Sequence, residues 1–184
     1  MSLALQYAQS GHLCLATLHA NNSYHALNRI ITFYPLENRP SLLLDLSASL
    51  QAIVSQRLVR PKAGGRKPAV EVMLNTRHIS ELVEKGEINA IKEAMEKSMA
   101  PGSQTFEQAL FKMFMEGVIT QDEAMANADS ASNMLWLINQ ATAGQITSGR
   151  IPVPPKQGET GDKKSLLPEE GDASFHGFKI DAGG

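Results

Sequence analysis

Residues 11–22 read GHLCLATLHANN, an almost unbroken apolar run with a histidine near either end, closing on two asparagines. From Leu13 to His19 the run does not alternate apolar with polar. That predicts a strand covered on both faces, as in a parallel sheet. Upstream, Leu3–Gln9 predicts the last turns of a helix, with Gly11 as its C-terminal stop. Downstream, Asn21, Asn22 and Ser23 offer caps for a helix whose apolar face is Leu27, Ile30, Ile31 and Tyr34, ended by Pro35. Pro40 suits the first turn of a longer helix with Leu43, Leu46, Leu50, Ile53, Val54 and Leu58 as its buried stripe. The segment PKAGGRKP, Pro61–Pro68, has the turn chemistry of a loop, and Ala69–Leu74 predicts a second buried strand. Helices and strands in this order predict an α/β fold with right-handed crossovers.

After Asn75 the pattern is helical alone. Thr76 caps a helix carrying Ile79, Leu82 and Val83, stopped at Gly86, and Ile88, Ile91 and Met95 mark the next. Thr105 with Gln108 makes a capping box before Leu110, Met113 and Phe114, with Gly117 as the stop. Thr120 with Glu123 makes a second box, and Ser130 opens a last helix through Leu135 and Ile138. The chain therefore divides into an α/β part at 1–75, a helical region at 76–147 and a flexible tail at 148–184. The tail, with VPPKQGETGDKKSLLPEEGD, is too poor in apolar residues to fold alone.

The totals narrow the functional classes. A formal net charge of −2 gives no footprint for nucleic acid. No apolar stretch approaches the roughly 20 residues of a membrane span, and MSLALQYAQSGH lacks the basic start and cleavage site of a signal peptide. A lone cysteine, Cys14, leaves no internal disulfide or multi-cysteine zinc site, and its apolar setting reads as a packed thiol. A cytoplasmic location follows as the expectation.

On a straight strand His12 and His19 would lie roughly 23 Å apart on opposite faces, which excludes joint metal ligation. His19 is the stronger candidate. Open α/β sheets bind ligands outside the carboxyl ends of their strands, where Thr17, His19, Asn21 and Asn22 would supply hydroxyl, imidazole and amide groups. The alternative is that His19 and Asn22 satisfy loop backbone groups and cap the next helix. His12 is the weaker candidate, and His25, His78 and His176 read as surface residues. GGRK at Gly64–Lys67 is not a phosphate loop, which needs GxxxxGK(S/T) between strand and helix, and no such motif occurs in the chain. Met95, Met99, Met113 and Met115 read as core filler, and Glu81, Glu84, Lys85 and Glu87 as a solvated face.

The run YAQSGHLCLATLHANNSYHALNRIITFYP resembles the histidine box of the type IV pilus retraction ATPases. The likeness continues through DLSASLQAIVSQRLV, AVEVMLNT and SQTFEQALFKMFMEGVITQDEAMANADSASNMLWLI, covering about Ala4 to Ile138. It leans to the PilU branch of this PilT/PilU family. The resemblance implies part of a RecA-like P-loop ATPase core, a hexameric ring of identical subunits, and ATP hydrolysis driving pilus retraction in twitching motility. It implies as partners a PilT-like ATPase and the inner-membrane platform protein of the pilus, with the motor peripheral at the inner membrane. It places His19, His12 and Thr17 near the nucleotide phosphates, with Thr17 as a γ-phosphate sensor.

Departures qualify that picture. The family's phosphate loop, Asp box and Walker B strand with its catalytic Glu precede the histidine box and have no counterpart here. Phosphoryl transfer in this class rests on that grip, so ATP and Mg²⁺ are expected cofactors of the full-length motor. This chain alone is expected to hold neither and to be inactive. The C-terminal motif that reads AIRNLI in PilT reads HISELV here, His78–Val83. Its apolar Ile79, Leu82 and Val83 are kept, but Ser80 and Glu81 replace Arg-Asn. Secretion and extension ATPases carry a tetracysteine zinc insertion after the SQRL-type helix, whereas Leu58 here runs through a short loop to Ala69. That favours the retraction branch over a type II secretion or pilus-extension ATPase. A non-catalytic module docking on a related ring is the remaining alternative.

Overall fold

Side-chain caps set most of the helix boundaries. Asn22, Thr76, Thr105, Thr120 and Ser130 each accept a backbone N–H from the first turn that follows. Each satisfies a donor that the helix start leaves orphaned. The computed structural model describes residues 2–98 and 100–143; Met99, His176 and the proposed tail 148–184 lie outside them. Its helices are α1 (Ser2–Gln9), α2 (Ser23–Thr32), α3 (Arg39–Ser49), α4 (Arg77–Glu84), α5 (Ile91–Lys97), α6 (Phe106–Met115), α7 (Gln121–Asn127) and α8 (Ala131–Thr142). Two strands, β1 (Ala52–Val59) and β2 (Lys67–Leu74), stand between α3 and α4. The class is α/β, as expected. Among the described residues no helix is long and apolar enough to cross a membrane.

The sheet is not the one expected. Leu13–His19 forms no strand: Leu13 and Leu15 are 85% and 89% exposed, and Cys14 is only partly buried. A strand needs a neighbour for its backbone groups, and the two-stranded sheet of this chain forms elsewhere. Among the described residues there is no right-handed parallel crossover either: β1 and β2 pair antiparallel as a hairpin with Ala52 opposite Leu74 and Val59 opposite Lys67.

The long helix expected from Pro40 to Leu58 stops at Ser49. The Asn75 amide donates to the carbonyls of Ser47 and Leu50 at 2.9 and 2.8 Å, closing the last turn of α3. The Gln51 carbonyl then accepts Asn75 N–H at 2.9 Å. Residues 52–59 bury Ser55 and Val59 and expose Val54 and Leu58, a period of two in which Ile53 and Val54 favour the strand. Leu50, Ile53, Val54 and Leu58 fit a helical stripe equally well, so the sequence was ambiguous there. The second capping box is half formed: Thr120 accepts from Glu123 N–H. The Glu123 carboxylate, however, turns to Arg60 N–H and the Asn127 amide.

One face of the hairpin serves two apolar clusters. Met73 packs with Leu27, Leu42, Leu46, Ile79, Val83, Ile91 and Met95 from α2–α5. Val59 and Ala69 pack with Phe106 and Leu110 of α6, Ile119 of the α6–α7 connection, and Met134 and Leu137 of α8. Between them, on the same face, the register sets Ser55 opposite Glu71 and Arg57 opposite Ala69. The retained positions Ile79, Leu82 and Val83 are all buried, and Glu81, Glu84, Lys85 and Glu87 are exposed. Of the methionines read as filler, Met95 and Met113 are buried, whereas Met115 is 52% exposed.

The stop of α4 offers a test. Gly86 has φ +72°, with its N–H on the Val83 carbonyl at 3.0 Å and Glu87 N–H on the Leu82 carbonyl at 2.9 Å. A β-carbon at Gly86 would also lie 3.3 Å from Leu43 Cδ1. Gly86→Ala is expected to cost about 1–2 kcal/mol in urea unfolding with an unchanged slope.

Candidate functional site

The connection from α1 to α2 carries the residues expected to face a nucleotide. α1 ends in a paired motif in which Gly11 N–H donates to Ala8 and His12 N–H to Tyr7, both at 3.0 Å. Gly11, at φ +90°, turns the chain there. The His12 ring therefore stays with α1: Nδ1 lies 3.0 Å from Ser10 Oγ and the ring meets Tyr7 edge-on at 5.6 Å. Thr17 and His19 are exposed. The His19 carbonyl accepts Arg29 Nη1 at 3.1 Å from α2. Among the described residues no hydrogen bond or ring contact joins His12, Thr17 and His19. The straight strand from which a shared two-histidine site was excluded does not form.

The corner that follows is held from several sides. Asn22 is 1% exposed. Its Oδ1 accepts His25 N–H at 3.0 Å and its Nδ2 donates to Asp129 Oδ2 at 3.3 Å. The Asn21 carbonyl accepts Arg57 Nη2 at 3.3 Å, and Ser23 N–H donates to Glu71 Oε1 at 2.7 Å. Asn22 is thus a cap and a brace, buried within the corner. Arg57 extends the corner to the C-terminal helices. It donates to the Asn127 carbonyl at 2.6 Å, pairs with Asp129 and lies over the Phe106 ring at 4.1 Å. On the far side, Glu107 Oε1 accepts Lys92 Nζ at 2.8 Å and Ser130 N–H at 3.0 Å, while Oε2 has no partner.

Burial dominates the electrostatics of this cluster. Desolvation pushes the Glu71 carboxyl above its ordinary range; the Ser23 hydrogen bonds oppose this, and the Asp129 and Glu107 charges add to it. Glu96 is raised for the same first reason, against the pull of Lys92. Burial would lower Lys92, but its bond and charge pairing with Glu107 outweigh it, so the ammonium is held above its usual range. Sequence reading missed Arg57, Glu71, Lys92, Glu107 and Asp129. The available signal was Arg57 and Glu71 sharing strand parity with buried Val59 and Met73. The arrangement is a rigid polar junction placed directly after exposed Thr17 and His19.

Neither Thr17 nor His19 carries a side-chain hydrogen bond among the described residues, so both are available to a ligand. One hydroxyl and one imidazole do not by themselves fit a Mg²⁺–triphosphate. Among the described residues no group of three carboxylate, histidine or cysteine side chains could hold a metal ion.

Comparison with known proteins places this geometry. Residues 1–64 match a family model described as "Type II/IV secretion system protein". The chain is 46% identical over 139 residues to the type IV pilus ATPase PilU of Pseudomonas aeruginosa, covering 75% of this chain and 36% of that protein. It is 30% identical over 131 residues to the type IV pilus retraction ATPase PilT of the same organism, covering 71% and 38%. A crystal structure of the pilus retraction motor PilT with bound ADP superposes with a TM-score of 0.63 at 32% identity, covering 70% of this chain and 36% of that one. The chain spans about a third of the length of the curated relatives it matches.

Two measurements test the junction. Asp129→Ala strands the partly buried Arg57 and is expected to cost about 3 kcal/mol. In Glu71, a raised folded-state pKa means stability is full below the ordinary carboxyl range and falls as pH rises through the raised value. Glu71→Gln keeps an oxygen for Ser23 N–H, so its melting temperature is expected to lose that fall between acid and neutral pH. An unchanged fall would place the titration on another group.

Proposed function

The chain belongs to the PilT/PilU family of type II/IV secretion and pilus ATPases, and on that footing we propose that it acts as the C-terminal portion of a PilU-like motor for type IV pilus retraction. The observation that carries this is the higher identity to PilU, 46%, than to PilT, 30%, over matches of similar length. The full motor in this reading is a hexameric ATPase using ATP and Mg²⁺. It works at the cytoplasmic side of the inner membrane with a PilT-like ATPase and the pilus platform protein. The phosphate loop and catalytic carboxylate come from residues outside this sequence. The division into a partial ATPase core at 1–75, a helical region at 76–147 and a tail at 148–184 belongs to the same proposal.

Two features support it. The Leu13–His19 run is rich in apolar residues and has no strand partner among the described residues, which suits insertion into a sheet built by those other residues. Thr17 and His19 then stand at the end of the inserted strand, exposed, ahead of a corner braced by Arg57, Glu71 and Asp129. In this reading Thr17 and His19 address the nucleotide's phosphates, and His12, held by Ser10 and Tyr7, orients the entry to the strand. The exposed run also suits a second reading, in which the chain docks without catalysis on a related ring.

Calorimetric titration of this chain with ATP is expected to show no tight site; micromolar affinity would overturn the assignment of the phosphate grip to other residues. In a longer protein that contains GxxxxGK(S/T), His19→Ala is expected to lower hydrolysis tenfold or more with an unchanged melting temperature. Full activity of that folded variant would remove His19 from the nucleotide site.

A further inference from the structure

The connection between β1 and β2 is strongly basic. It begins at Arg60 and reads RPKAGGRK through Lys67, four cations and no acid in a chain of net charge −2. Arg60, Lys62, Arg66 and Lys67 are all exposed. Among the described residues none of the four side chains makes an ion pair or hydrogen bond. The base is anchored, with Lys62 N–H on the Val118 carbonyl at 2.8 Å and Gly64 N–H on the Pro61 carbonyl at 3.0 Å. The tip is free: Gly64 and Gly65, at φ +85° and +77°, have no atom within 4 Å of where a side chain would begin. The Glu123 carboxylate Oε1 accepts the Arg60 backbone N–H at 2.8 Å. Lys62, Arg66 and Lys67 are the charges distal to that contact. Behind the tip, on the outward face of the hairpin, Leu58 and Val54 are 53% and 68% exposed. They stand opposite Pro68 and Val72 in the register.

We infer that this hairpin tip is a contact for an anionic lipid surface. Specific recognition of a protein carboxylate uses guanidinium groups held in a fixed fork. These cations are fixed by nothing, which suits a fluid field of headgroups that asks for charge density rather than geometry. The outward Leu58 and Val54 add apolar area beside the charge, the combination that interfacial segments use. The inference rests on the membrane-peripheral placement proposed above and gives it a physical contact. Because the charges act without nucleotide or partner subunits, its failure leaves the motor reading standing.

Each basic residue near such a surface is worth about fivefold in partitioning, so the three distal cations give roughly a hundredfold preference for anionic over neutral vesicles. The test is co-sedimentation of the whole chain, without nucleotide, on vesicles of roughly one-third phosphatidylglycerol in phosphatidylcholine, against phosphatidylcholine alone. Binding confined to the anionic vesicles and weakened by salt is expected. Lys62→Gln with Arg66→Gln should weaken it about 25-fold, while Arg77→Gln with Lys85→Gln on α4, an equal change in net charge, should leave it within about twofold. No binding, equal binding to neutral vesicles, or equal loss in both double variants would overturn the inference. Retention on polyglutamate beads without vesicle binding would overturn it too, and assign the tip to an acidic protein.

Discussion

The described part of this chain depends on the clasp that Arg57 makes at the centre of the hairpin. Its guanidinium meets Asp129, the Asn127 carbonyl, the Asn21 carbonyl and the Phe106 ring. These partners come from three separate parts of the sequence, so no local preference brings them together. A guanidinium can do this because its donors form a planar fork and its face stacks on an aromatic ring. A lysine at the same place would reach one carboxylate and leave the carbonyls unpaired. With side chains 20% and 11% exposed, Arg57 and Asp129 are shielded enough that losing either costs more than a surface pair would.

The clasp matters because of where the hairpin puts it. A continuous apolar face from Ile53 to Val59 would let the two clusters merge and slide along each other. Instead Ser55, Arg57 and Glu71 interrupt it, and the two charged groups each hold particular partners. Glu71 accepts Ser23 N–H, and Asn22, one residue earlier, reaches Asp129. The start of α2 is thereby fixed against both strands and the segment before α8. Glu107 repeats the device with Lys92 and Ser130. Removing one partner from a buried pair of this kind leaves an uncompensated charge, so each pair disfavours arrangements that separate it. Here they set the register between helices packed on opposite ends of one hairpin face.

How much of this the sequence disclosed depended on how local each signal was. Caps and stops at Asn22, Thr76, Thr105, Ser130, Gly86 and Gly117 lie within a few residues of what they control, and they were legible. Residues 50–58 were not, because their apolar positions satisfy a period of 3.6 and a period of two together. The choice between them was made by Asn75, far along the chain, closing α3. The GHLCLATLHANN run failed for a different reason. Its composition describes a buried strand, but strand formation is a property of partners, and the partners are not among residues 2–98 and 100–143. The candidate site was half legible: its exposed Thr17 and His19 stood out by type and place. The charges that brace their corner were hidden among apolar neighbours in β1, β2 and α6.

The contrast between the exposed run and the braced corner carries the functional argument. Leu13 and Leu15 face solvent with no strand beside them, yet eight residues after Leu13 the chain enters a junction bound by four elements. A segment that only linked α1 to α2 would have no need of that apolar character, since exposed connections favour polar residues. A segment that only completed the core would not leave it exposed. An apolar strand delivered from a rigid base is what a sheet assembled from separate stretches of polypeptide requires, because the base sets direction and register before pairing begins. In the proposed reading, Arg57 and Glu71 act as braces that set where Thr17 and His19 stand relative to a nucleotide.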